Sequence, residues 1–521
     1  MAYGARLESV LGSPPHEFES RILRQTGAGT AIGGRAIDTG TVPGVAAVAP
    51  AITRGARRAT VLLSCSVAVL LVSALLGPSA AEPALPGAAG LPPYNFDARP
   101  SETVVTGLLA LAVVLGGLGL TAAWRALDRG WSPDPRRLLA ASLLATLGLC
   151  LVPTIGSSDI VSYATYGRMA ATGHDPYVTT PEMLARAGDP IAVNVQGWLH
   201  ASSVYGPLAT AEQSLASSIG GRSLRTTVVM LTVFNAVGFA VTTVLLFLGV
   251  GGDARRRRAL LLWGLNPLLL FELVSAGHVD ALATAFLVAA VLAMRRSALL
   301  AGALLGAAID VKLSLAVVAA GVAVALWKRW RSLVAAAAGC VAAVVPAYLG
   351  AGRHVLDQAG TASTFVVHAS LWQPVALLMG GTGWRRVVTT LAWCAAVAVA
   401  VVLLRRQRAF ADGEPDMARR AASGIAAVLT AYVLLTAYVL PWYDAPLWAM
   451  LALLPASRLD RVLLVHTGVL GVAYLPGNAV ALTSGVVRGA QFVVQRLVAP
   501  PVLAVLVFLT ARTPAAERPT A

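Results

Sequence analysis

Long apolar runs alternate with short clusters of arginine along this chain, and that alternation constrains its fold more than any single motif. The clusters Arg125/Arg129/Arg136/Arg137, Arg255 to Arg258, Arg295/Arg296, Lys328/Arg329/Arg331 and Arg405/Arg406/Arg408 each lie between runs of Ala, Leu and Val. Of 521 residues, 57% are hydrophobic and only 12% charged, and the mean hydropathy is +0.72. That composition excludes an ordinary soluble domain and calls for a bilayer. The net charge of +15 follows the positive-inside pattern of membrane proteins, so no nucleic-acid partner is expected.

The expected fold is all-α, a polytopic transmembrane helical bundle. Apolar runs near 59–77, 104–124, 138–155, 226–249, 259–276, 279–294, 298–311 and 313–327 are followed by runs near 332–350, 387–404, 421–440, 443–456, 462–476 and 497–511. That makes about 14 spans, several of them shorter than the roughly 20 residues a bilayer requires. With the basic clusters on the cytoplasmic side, parity puts both termini in the cytoplasm of a plasma-membrane protein. Residues 1–55, rich in Gly, Ala, Pro and Arg, read as a disordered cytoplasmic extension, 56–511 as the membrane domain, and 512–521 as a cytoplasmic tail. The first apolar run begins too far into the chain for a cleaved signal peptide, so it is expected to remain as a span. The four cysteines, Cys65, Cys150, Cys340 and Cys394, fall inside apolar runs with no ligand spacing and read as small buried packing residues.

The same parity turns outward the loops 78–103 and 156–225, the corner Gly277-His278-Val279-Asp280, the stretch 351–386, and Pro441 to Asp444. The large loop 156–225 is the expected extracytoplasmic catalytic loop. It opens on Asp159, and helical spacing puts Asp159, Tyr163 and Tyr166 on one face. An acid flanked by rings suits a sugar. The plainer alternative has Asp159 capping an interfacial helix and the tyrosines in the aromatic belt. An ionised carboxylate can take the proton of an attacking hydroxyl. A glycosidase needs a second carboxyl to protonate its leaving group, whereas a phosphate leaves unprotonated and asks for a nearby cation.

Lys312, between two short apolar runs, is the cation of choice for a phosphate, with His278 and Arg168 as helpers; a local pair with Asp310 is the structural alternative. Further sugar- or acceptor-binding candidates are Asp175 and Tyr177 of the Gly173-His174-Asp175-Pro176-Tyr177 turn, Tyr205, Asp280, Trp442 and Tyr443. His368 and Arg353 lie on the outer stretch with weaker signals. No internal repeat is visible, which argues against a transporter, although a lipid-linked sugar flippase with Asp159 and His278 as coupling groups stays open.

These residues resemble the GT-C class of integral-membrane glycosyltransferases, and more closely the actinobacterial polyprenol-phosphomannose-dependent α(1→6) mannosyltransferases that build lipomannan. The resemblance rests on Ser158-Asp159 to Gly167-Arg168, the 173–177 turn, Tyr205-Gly206-Pro207, Asn266-Pro267 to Asp280, Lys312-Leu313-Ser314 and Pro441-Trp442-Tyr443, over roughly residues 100–510. It implies an inverting transfer of mannose from a polyprenyl-phosphate-mannose donor to a lipid-linked glycan acceptor on the outer face, with Asp159 as base. Arabinofuranosyl transferases with polyprenyl-phosphate donors share the architecture and remain the alternative. The class often shows a pair of acids where this chain has only Asp159. A single carboxylate makes a poor divalent site, so no metal ligand is assigned and metal dependence stays open. An outward enzyme needs a donor that reaches the outer leaflet, and a prenyl tail, at about 0.8 kcal/mol per buried CH₂, anchors one among the membrane lipids.

Overall fold

A computed structural model describes residues 45–86, 91–379, 382–478 and 481–512. Among the described residues the protein is helical, with no strand. Most of the expected extension 1–55, and the tail 512–521 beyond its first residue, lie outside them. Where the extension is described, it departs from expectation: a helix runs over Val45–Leu75, continuous with the first apolar run.

Among the described residues, eight helices are long and apolar enough to cross a membrane: Thr53–Leu75, Glu102–Asp128, Leu224–Gly249, Asp253–Ser275, Trp330–Ala351, Arg385–Gln407, Met417–Leu435 and Gly485–Ala511. The other apolar runs form shorter helices, Pro135–Cys150, Asp280–Ala293, Ala298–Val311, Leu313–Leu326, Ala445–Leu453 and Arg458–Tyr474. At about 1.5 Å per residue, such helices fall short of a hydrocarbon core of roughly 30 Å. Two long helices, Asp253–Ser275 and Met417–Leu435, are 89% buried along their apolar windows, whereas only 11% of Trp330–Ala351 is. The first two form the centre of the bundle and the third faces outward.

Local signals explain where helices start. Ser101, Ser223, Ser297 and Asp416 cap their helices by accepting a backbone N–H two or three residues on, and Ser457 with Asp460 forms a capping box. The cysteines depart from expectation: Cys65 and Cys394 are exposed, and Cys150 and Cys340 half-buried. In a bilayer the outside of the bundle is as apolar as its inside, so a small apolar residue carries no signal of burial.

Loops that parity assigns to one side meet one another. Arg258 bonds the carbonyls of Leu451 and Leu454 and pairs with Asp460 at 2.7 Å. Arg295 bonds Gly249 O and pairs with Asp416, and Arg257 bonds Pro133 O. On the other set, Gly156 N donates to Ala81 O, Asn478 N to Ala80 O, Gly206 N to Val311 O, and Val367 N to Ala437 O.

That second set holds the turn that delivers Asp159. Gly156 has φ +88°, and a Cβ there would run into the Phe271 ring, so only glycine fits the turn. Gly156→Ala is expected to destabilise the protein by about 2 kcal/mol or more, read as a lowered melting temperature of the purified protein in detergent. An unchanged melt would show that the turn tolerates a side chain.

Candidate active site

Asp159 begins the helix Asp159–Ala171 and is 7% exposed. Capping is not what holds it: the N-cap is Ser158, and its side chain makes no cap bond. Instead Asp159 Oδ1 accepts from Trp198 Nε1 at 3.0 Å, its Oδ2 lies 4.0 Å from His278 Nδ1, and its own N–H donates to Ser157 Oγ. Burial pushes its carboxyl up to about 6, with Asp280 adding to the rise; the Trp198 hydrogen bond and the Lys312 charge oppose it. The group therefore stays mostly ionised at neutral pH yet is far more basic than a solvated aspartate.

A chain of hydroxyls runs behind it. Tyr205 OH donates to Tyr163 OH at 3.0 Å, and Tyr163 OH and His278 Nδ1 share a hydrogen bond at 3.2 Å. The other ring nitrogen of His278, Nε2, is buried and has no partner among the described residues. The His278 ring stacks on Trp442 with centroids 3.4 Å apart.

Lys312 sits where the helix Ala298–Val311 ends and the next apolar helix begins, with its backbone extended at φ −144°. Its Nζ pairs with Asp280 Oδ1 at 2.7 Å and lies 3.5 Å above the Tyr443 ring. Asp280 is thus its partner, not Asp310. Gly206 makes this corner compact, because a Cβ there would strike the Asp310 carbonyl. Asp444, next to Tyr443, is held by His466 Nδ1 at 2.8 Å and Thr467 Oγ1 at 2.6 Å. That anchors the motif carrying Trp442 and Tyr443.

These groups surround one cavity of about 360 Å³, a size typical of small-molecule sites. Asp159, Tyr163, Tyr166, Tyr205, Lys312, Trp442 and Tyr443 all line it. His278 and Asp280 stand directly behind the lining. Among the lining residues Asp159 is the only acid and Lys312 the only cation. From this charged end the cavity continues to Val317, Thr389, Trp393 and Tyr432, which belong to the apolar helices Leu313–Leu326, Arg385–Gln407 and Met417–Leu435.

Five expected residues lie elsewhere. Arg168 points away from the cavity, pairing with Asp189 at 2.8 Å and donating to Gly221 O. It stands half a turn round the helix from Asp159, which a period of 3.6 makes unavoidable. Asp175 is exposed and closes its own turn by accepting from Tyr177 N. Tyr177 is spent on Thr210, its OH 2.9 Å from the Thr210 hydroxyl. His368 and Arg353 are exposed and outside the lining. Trp198, Ser162, Phe365 and Tyr438 were not singled out from sequence but line the cavity. Among the described residues no three His, Cys, Asp or Glu side chains group as metal ligands.

Residues 65–329, just over half of the chain, match the model of the MptA_B family, described as Alpha-(1->6)-mannopyranosyltransferase, N-terminal domain. No curated protein and no solved structure matches the chain.

The carboxyl band lost in Asp159→Asn, followed by infrared difference titration, is expected to have its midpoint at about 6. A midpoint of about 4, the solvated value, would contradict the burial described.

Proposed function

Since the chain belongs to the MptA_B family of alpha-(1->6)-mannopyranosyltransferases, and is thus a membrane glycosyltransferase, we propose that it moves mannose from polyprenyl-phosphate mannose to a lipid-linked mannan acceptor on the outer face of the plasma membrane. The observation that carries this reading is the shape of the cavity, charged at one end and continued between membrane helices at the other. A donor with a sugar phosphate head and a prenyl tail fits both ends at once. Its tail contributes about 0.8 kcal/mol per buried CH₂ to anchoring. The family's mannopyranosyl description favours mannose over arabinofuranose.

In the proposed reaction the acceptor's C6 hydroxyl attacks the anomeric carbon of the donor, and the bond from that carbon to the phosphate oxygen breaks on the opposite face. Asp159 takes the hydroxyl proton, and the departing phosphate meets Lys312. One displacement inverts the anomeric centre. A base of raised pKa suits this role, because it removes the alcohol proton more readily than a solvated aspartate does while remaining ionised at neutral pH. The Asp280 carboxylate and Tyr443 ring fix the ammonium before the phosphate arrives, so little reorganisation is left to the transition state.

Membranes containing the protein, given radiolabelled polyprenyl-phosphate mannose and a short mannoside, are expected to label the mannoside, and membranes with Asp159→Ala are not. Equal labelling by both would remove Asp159 from the chemistry. In the wild type the rate is expected to fall about tenfold per pH unit below about 6, because protonation abolishes the base; a flat acid limb would contradict that role. Lys312→Met combined with Asp280→Asn removes the ion pair without stranding a buried charge. It is expected to lower kcat by about 100-fold, and an unaffected kcat would rule out phosphate stabilisation by Lys312.

A further inference from the structure

Among the described residues, Trp198 bonds the proposed base directly and also touches a segment far along the chain that lines the cavity. Its backbone has φ +57°, a left-handed conformation that a bulky residue adopts only when its surroundings hold it there. The hold is visible. Ala201 N donates to Trp198 O, and Ala201 O accepts from Tyr166 OH at 3.0 Å, which ties this loop to the helix that begins at Asp159. In that conformation the indole N–H reaches Asp159 Oδ1 at 3.0 Å while the residue remains 41% exposed.

The other contact of the ring lies far along the chain. Trp198 stacks on Phe365, centroids 6.3 Å apart and planes 15° from parallel. Phe365 meets Tyr438 edge-on at 5.7 Å, and Tyr438 meets Tyr443 at 6.1 Å, the ring beneath Lys312. Phe365 follows a segment, including the helix Asp357–Ala362, whose Gln358, Ala359, Ala362 and Ser363 line the cavity. Val367 N anchors that segment to Ala437 O at 3.0 Å. The Trp198–Phe365 stack is therefore a joint between two segments that line the cavity, one inside the matched region 65–329 and one beyond it.

We propose that Trp198 is a positioning residue that aims Asp159 Oδ2 into the cavity by holding Oδ1, and that Phe365 makes this aim depend on the 357–365 segment lying closed over the cavity. With Oδ1 occupied by the indole, the carboxylate presents one oxygen to the acceptor hydroxyl. When the covering segment moves away, Trp198 loses the ring that backs it, and the base is freed from its working orientation. Proton abstraction is thereby coupled to closure, which keeps water out while the sugar is transferred. The inference rests on Asp159 being the base.

The test uses the full-length protein and compares Trp198→Phe, Trp198→His and Phe365→Leu with the wild type, with Asp159→Asn as a control on the base itself. Trp198→Phe keeps the stack and loses the donor. It is expected to lower kcat by about tenfold or more and to move the acid limb of the rate profile up by about one pH unit, since the lost bond favours the ionised carboxylate. Trp198→His, which retains a ring N–H, recovers part of both changes. Phe365→Leu moves the limb in the same direction by less and lowers kcat with little change in the acceptor KM. A merely structural tryptophan would change the melting temperature and leave the limb in place. Wild-type kcat with an unmoved limb in Trp198→Phe overturns the proposal, while an inert Asp159→Asn leaves the assignment of the base standing; full activity of Asp159→Asn overturns that assignment instead. Should Trp198→Phe fail to melt cooperatively, the limb of Phe365→Leu decides, a wild-type position counting against the proposal.

Discussion

The Lys312–Asp280 ion pair is the joint on which the rest of the site depends. Lys312 stands at a break between two apolar helices, where an unpartnered charge costs about 2.5 to 3.5 kcal/mol on insertion scales. A carboxylate at 2.7 Å and the face of Tyr443 at 3.5 Å offset that cost. Satisfying the ammonium in this way fixes three elements against one another: the broken helix pair, the start of Asp280–Ala293, and the turn Pro441–Asp444. Trp442 of that turn stacks on His278, His278 meets Tyr163, and Tyr163 lies one turn from Asp159.

Electrostatics at the cavity follow from that arrangement. Asp159 is withdrawn from water, so its carboxyl rises to about 6, and the counterweights are specific: one indole N–H and one ammonium. Lys312 thus contributes twice, as a fixed charge that keeps the proposed base ionised and as the proposed partner of the leaving phosphate. A second carboxylate facing the cavity would disturb both roles. Asp280, the nearest candidate, stands behind the lining and is bound to Lys312 through one oxygen.

Much of this was legible in the sequence, for local reasons. Helical period alone puts Asp159, Tyr163 and Tyr166 on one face, and all three line the cavity. The same period puts Arg168 on the opposite side, a consequence that the density of the motif obscured. Asp175 and Tyr177 read as site residues because Gly-x-Asp-Pro-Tyr is an unusual turn, yet the Asp is used to close that turn. Apolar runs located the helices but not the number of crossings, since several runs end at a polar corner before reaching bilayer thickness. Trp198 and Phe365 carried no signal, because each lies in an irregular segment and their meaning arises from a contact across more than 160 residues. Membership of the family is shown through residues 65–329, whereas Trp442, Tyr443, Tyr438 and Phe365 lie beyond that region and complete the cavity from the other half of the chain.

In the proposed function the charged end of this cavity opens to the outer side of the membrane, where a prenyl-anchored donor brings its head to Asp159. The direct measurement replaces the exposed His174, on the turn after the Asp159 helix, with cysteine in a background lacking the four native cysteines, and treats intact cells with a membrane-impermeant maleimide. The account predicts labelling without permeabilisation, at the rate of a known outer-face control. Labelling only after the cells are opened would put the site on the cytoplasmic side and contradict the account.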